Sequence, residues 1–136
     1  MKIEHFALNV EDPIAMAQWY TKHLGLKILT QRKVAPFTTF LTDDSGSIMI
    51  EIYKNPVDEI PPYRKMNPLI LHLAFVSESP ELDKNNLLKA GAILETEDHL
   101  EDGSHLVMMR DPWGLAIQFC KRGTDVFLKR ESNFEN

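Results

Sequence analysis

A chain of 136 residues with 43% hydrophobic and 26% charged residues has the ordinary make-up of one globular domain, which excludes disordered and collagen-like architectures. Its net charge of −5, from 15 basic and 20 acidic residues without a basic cluster, argues against a nucleic-acid partner. The longest apolar run, residues 69–76, contains His72 and falls far short of the roughly 20 residues of a membrane helix. Glu4 and His5 interrupt any leader-like start, and the single Cys120 leaves no internal disulfide, so a cytoplasmic protein without membrane contact is expected.

Taken in chain order, the first element is an alternating segment in which Phe6, Leu8 and Val10 line one strand face and His5 the other. Asp12 followed by Pro13 reads as a helix N-cap with proline in the first turn, and Gly25 marks the helix end. Three short strands follow, about residues 26–33, 37–42 and 47–53, with DDSG turning the chain between the last two. Residues 54–68, KNPVDEIPPYRKMNP, hold four of the eight prolines and neither periodicity, which marks a linker long enough to lie over a site. The order then starts again. Leu71, Leu73 and Phe75 alternate around His72; Ser79 and Pro80 open a second helix that stops near Gly91; strands are expected at residues 92–97, 105–110 and 115–121, with DPWG as the turn. Module 1 is therefore about residues 1–53 and module 2 about 69–122. The tail, residues 123–136, is polar, with Val126, Phe127, Leu128 and Phe134 as its few side chains able to dock.

The two modules are copies. A shift of 67 residues lays IEHFALNVEDP on ILHLAFVSESP, so that His5, Ala7, Glu11 and Pro13 recur as His72, Ala74, Glu78 and Pro80. The same shift carries Lys22, Asp44 and Lys54 onto Lys89, Asp111 and Lys121. In the last strand of each copy, Ile48, Ile50 and Ile52, matched by Leu115, Ile117 and Phe119, form the side that packs on helices. The opposite side carries Met49, Glu51 and Tyr53, matched by Ala116, Gln118 and Cys120. His5, Glu51, His72 and Gln118 thus occupy repeat-related places on the face away from the helices. Polar groups inside strands need partners, and one divalent ion supplies a partner to all four. Two imidazoles, a carboxylate and an amide oxygen suit Ni, Zn, Mn, Fe or Co without choosing among them.

With these residues in view the chain resembles the vicinal oxygen chelate superfamily, the fold of glyoxalase, bleomycin-resistance proteins and extradiol dioxygenases. The resemblance rests on IEHFALNVEDPIAMAQWYTKHLGLKI, LHLAFV and RDPWGLAIQF in that order and covers residues 1–122. It implies an α+β fold of two tandem βαβββ modules that form a cupped mixed sheet around a metal, with helices on the convex side. In the glyoxalase I branch the ligands match His5, Glu51, His72 and position 118, where that branch usually carries Glu and this chain has Gln118. It further implies a metal-dependent lyase or isomerase acting on a small oxygenated substrate that chelates the metal, a glutathione hemithioacetal in the family's stated case, with Glu51 as ligand and base. Two other readings stay open: a metal-free drug-binding protein of the bleomycin-resistance type, and an extradiol-type dioxygenase, whose family pattern needs a carboxylate where Gln118 stands. The family commonly assembles four modules, so a homodimer is expected, paired within or between chains.

Each residue also has a plainer role. His5 or His72 alone would be a satisfied strand histidine, and the repeat is what raises the pair to ligands. Met49, Tyr53 and Trp113 are candidates to line a pocket for an apolar or aromatic ligand, although turn packing explains Trp113 equally well. Arg110 is a candidate partner for a substrate carboxylate or an ordinary salt-bridge residue. His23, His99 and His105 are placed at a helix end, a strand end and a turn and given surface roles; Cys120 is a small hydrophobe.

Overall fold

A computed structural model describes residues 1–57 and 59–123. The residues from Val126 to Phe134 considered for docking lie outside the described residues. Two compact units emerge, Met1–Pro62 and a second beginning at Tyr63. Each has the order strand, helix, three strands, and each builds one four-stranded mixed sheet. No helix among the described residues is long and apolar enough to cross a membrane.

In the first unit β1 (His5–Asn9) lies parallel to β4 (Met49–Tyr53), which pairs antiparallel with β3 (Thr39–Thr42), and β2 (Lys27–Gln31) closes the order β1-β4-β3-β2. Parallel pairing of first and last strands requires a crossover, and α1 (Pro13–Leu24) with β2 and β3 supplies it. Pro13, Met16, Ala17 and Tyr20 recur at helical spacing and are all buried. The Asp12 carboxylate caps the helix by accepting from the Ala15 amide at 3.0 Å, and Gly25 ends it at φ 72, where a side chain would be strained. In β4 burial alternates as expected, with Ile50 and Ile52 inside and Met49, Glu51 and Tyr53 half-buried. Ile48 departs from the expected apolar side: it precedes the strand, in the turn after Gly46, and is 59% exposed.

In the second unit β5 (Leu73–Val76) pairs parallel with β8 (Ala116–Lys121), followed by β7 (His105–Arg110) and β6 (Ile93–His99). The helix α2 (Pro80–Lys89) buries only Pro80 and Leu87. Ser79 stands at the N-cap without a side-chain cap bond; instead the Ser77 hydroxyl donates to Asp83 inside the first turns and accepts from the Ser79 amide at 3.1 Å. β8 does not alternate cleanly. Ala116 and Cys120 are as buried as Ile117 and Phe119, so this strand is covered on both faces and Gln118 is half-buried between them.

The proline-rich segment is shared between the units. Its start is tied to β1, since the Asn9 carboxamide accepts from the Asn55 amide at 2.8 Å and donates to the Glu59 carbonyl at 3.3 Å. Its end, with a 3-10 turn at Tyr63–Lys65, belongs to the second unit.

Candidate functional site

His5 and Glu51 are brought together by strand register. His5 faces Met49 and Ala7 faces Glu51 across β1 and β4, so the histidine and the carboxylate are diagonal neighbours, with His5 Nε2 at 3.1 Å from Glu51 Oε2. Donors that share an ion through bonds of about 2.0–2.2 Å stand roughly 3 Å apart, and this pair has that spacing. The other ring nitrogen, Nδ1, is held by Glu4, and the Phe40 ring meets the imidazole edge-on at 5.7 Å. The Glu4 hydrogen bond, with the charges of Glu4 and Glu51, raises the His5 pKa above the ordinary imidazole value against the opposing effect of burial. An imidazole with a carboxylate at each nitrogen calls for a cation between Nε2 and Glu51, either a second ring proton or a metal ion. Glu51 also lines a cleft of about 560 Å³ with Thr30, Gln31, Arg32, Thr38 and Phe40.

The second unit repeats the arrangement with different partners. Ala74 faces Gln118 as Ala7 faces Glu51, but His72, two residues ahead of Ala74, lies just before β5 rather than within it. His72 Nδ1 lies 2.8 Å from the Pro68 carbonyl oxygen, which can only accept, so Nδ1 carries the proton and Nε2 keeps its lone pair when the ring is neutral. Both histidines therefore anchor Nδ1 on an oxygen and leave Nε2 for another partner, the usual setting of a metal-ligating imidazole. Gln118 is engaged locally: its side-chain oxygen accepts from the Cys120 thiol at 3.2 Å, and burial pushes that thiol's pKa up.

The remaining candidates fall out as follows. Met49 is half-buried opposite His5, and Tyr53 lines a smaller hollow of about 380 Å³ with Ala35, Pro36, Thr38, Asn55 and Pro56. Trp113 sits half-buried in a turn built on the fully buried Asp111, whose carboxylate accepts from the Trp113 and Leu115 amides at 2.9 and 3.0 Å. Arg110 does not present itself to a substrate carboxylate. It is 6% exposed, and its guanidinium is spent on Glu95 at 2.6 Å and on the carbonyls of Tyr63, Met66 and Gly114 at 2.7, 2.8 and 3.0 Å. Those bonds clamp the 3-10 turn that leads to Pro68, the anchor of His72. Gly114 is required at the same contact, because a Cβ there would stand 2.9 Å from the Arg64 backbone nitrogen.

One cluster went unread in the sequence. His105 opens β7, as the strand expected at residues 105–110 requires, but not with a surface role: its Nε2 is 2.8 Å from Glu97 Oε1, with His99 beside it. Glu97 and His99 are two apart on one strand and share a face, a signal that becomes visible once the hairpin is drawn.

A fold of two βαβββ units, the first with an imidazole and a carboxylate paired across its first and last strands, defines a class. The model of the Glyoxalase/Bleomycin resistance protein/Dioxygenase superfamily matches residues 2–119, and the chain belongs to that superfamily. Among solved structures, TnmS3, an antibiotic binding protein from Streptomyces sp. CB03234, is similar with TM-score 0.69 at 14% identity over 90% of this chain and 96% of that one. A lactoylglutathione lyase from Agrobacterium tumefaciens gives TM-score 0.62 at 19% identity over 87% and 91%, and a glyoxalase family protein from Enterococcus faecalis 0.67 at 23% over 88% and 97%. At such identities the likeness establishes the fold. No protein of curated function matches the chain.

Proposed function

We propose that this protein is a metal-dependent lyase or isomerase of glyoxalase type, with His5, Glu51, His72 and Gln118 as the ligands of one divalent ion, of the Ni, Zn, Mn, Fe or Co group. The observation that carries the reading is the shared state of the two histidines, each with Nδ1 anchored on oxygen and Nε2 left for a partner, and in the first unit a carboxylate oxygen at 3.1 Å from it. A complete site requires a first-unit half and a second-unit half, from one chain or from two copies in a homodimer. The outer strands carry exposed apolar side chains suited to such pairing, among them Phe6, Ile28, Leu29, Val76, Ile93 and Leu94.

When bound, the ion supplies Lewis acidity to two neighbouring oxygens of a small substrate and so acidifies the adjacent C–H. Glu51 is the base: its half-buried carboxylate opens on the cleft, receives the proton and returns it to the neighbouring carbon. His5, steadied by Glu4 and Phe40, would hold the ion through Nε2, and Arg110 positions His72 through the Tyr63–Pro68 turn. The test is exchange of solvent deuterium into hydroxy-ketone or hemithioacetal substrates by the metal-loaded protein. Exchange that needs both metal and Glu51 supports the reading, and its absence across such substrates with metal bound contradicts it.

A second reading, a metal-free binder of small apolar molecules, draws on the Gln118 oxygen already occupied by the Cys120 thiol. Purification without added metal separates the two, because a sequestering protein has no reason to retain a stoichiometric ion.

A further inference from the structure

Outside the proposed centre, three ligand-type side chains meet on one face of the β6–β7 hairpin. His99 and His105 are directly opposed in register, their rings stacked with centroids 4.0 Å apart, and Glu97 follows two residues away on the same face. Glu97 Oε1 is 2.8 Å from His105 Nε2 and 4.0 Å from His99 Nε2, and one donor atom from each residue lies within 4.8 Å of the others. The group is held in place. Lys84 of α2 fixes the other Glu97 oxygen at 2.5 Å, the hairpin is closed by Leu100 and Ser104 at 2.9 Å, and side-chain exposure of 14% for His105 and 22% for Glu97 keeps both in one setting. His99, at 71%, forms the open side.

We propose that Glu97, His99 and His105 form a second binding site for a divalent transition ion, separate from the His5 and Glu51 centre. Two imidazoles and one carboxylate with an open side are a donor set for zinc, nickel or copper. The neighbours sharpen the choice. Lys84 and, next in the row across β7 and β8, Lys121 place positive charge near the ion, which disfavours a hard ion bound by charge alone and leaves selection to the imidazoles. Lys84 holds Oε2 and directs Oε1 at the histidines, which orients the carboxylate for a bound ion. Binding to the folded hairpin alone also stabilises it.

The test uses zinc and the full chain carrying His5→Ala and His72→Ala, so that the proposed catalytic ligands contribute nothing and failure of that reading leaves this one intact. Calorimetry is expected to show one zinc equivalent, with the ring resonances of His99 and His105 shifted in NMR spectra and the melting temperature raised. Adding His99→Ala, a change at an exposed position that spares the packing, is expected to weaken the binding at least about tenfold and to cancel the thermal shift. His105→Gln serves as a second variant. No zinc uptake by the protein that keeps His99 and His105, or uptake indifferent to His99→Ala, overturns the proposal.

Discussion

The two units are one design executed with different chemistry, and the contrast shows which parts of the repeat position groups and which do the work. The first unit docks its helix with four apolar residues, caps it with Asp12 and sets His5 beside the Glu51 carboxylate across its outer and central strands. The second buries two helix residues, relies on polar fastenings from Ser77, Lys84 and Arg110, and carries the amide Gln118 where the first has the Glu51 carboxylate, with His72 just ahead of its first strand. The backbone register is the same in both, His two residues ahead of an alanine that faces the position-51 or position-118 side chain. What differs is charge. In the proposed His, Glu, His, Gln shell a divalent ion would keep one net positive charge, and the proposed base would come from the first unit alone.

That division gives the largest expected effect. Glu51→Gln should lower any proton-transfer rate by about 10²–10⁴, the usual share of a positioned base, while Gln118→Ala leaves deuterium exchange into substrate measurable. Equal losses from both would erase the distinction between the halves. Next in size are the two fastenings. Arg110→Met takes a buried guanidinium away from the partly exposed Glu95 and removes one donor from each of the carbonyls of Tyr63, Met66 and Gly114, for a loss of about 3 kcal/mol in denaturant unfolding, comparable to the roughly 2–5 kcal/mol expected for Met16→Ala in the first unit's core. Retained stability in Arg110→Met would mean the clamp on the Tyr63–Pro68 turn holds nothing. Smaller again, Gln118→Glu should tighten metal binding about tenfold by restoring charge balance, read by calorimetric titration. Affinity in both proteins should fall as pH is lowered, beginning above the ordinary imidazole range because Glu4 and Glu51 favour the protonated His5 that the metal displaces. The smallest contrast lies in the caps: Asp12→Ala should cost about 1 kcal/mol and Ser79→Ala close to nothing, since only Asp12 makes a cap bond with its side chain.

Much of this was legible before any coordinates. Period-two alternation and the 67-residue repeat placed the strands and both helices, because each copy must bury one face, and the same parity put His5 with Glu51 and His72 with Gln118 on one side. Parity fails where burial is two-sided or a strand begins late, which is why Ile48 lies exposed and Ala116 and Cys120 lie buried. Arg110 is the salt-bridge residue that the sequence offered as one of its two readings, paired with Glu95; its further partners, the carbonyls of residues 63, 66 and 114, are backbone groups with no side-chain signature. The Glu97, His99 and His105 cluster escaped because histidines weighed singly default to the surface, whereas their meaning depends on the hairpin register that sets His99 opposite His105.

The central claim is that His5 and His72, on copies of one unit, serve one ion. It is tested most directly by titrating nickel into protein carrying His99→Ala, with the hairpin cluster disabled, against the same protein carrying His5→Ala and His72→Ala in addition. The account predicts about one ion per complete site in the first and none of comparable affinity in the second. Binding of the same strength and stoichiometry in both would contradict it.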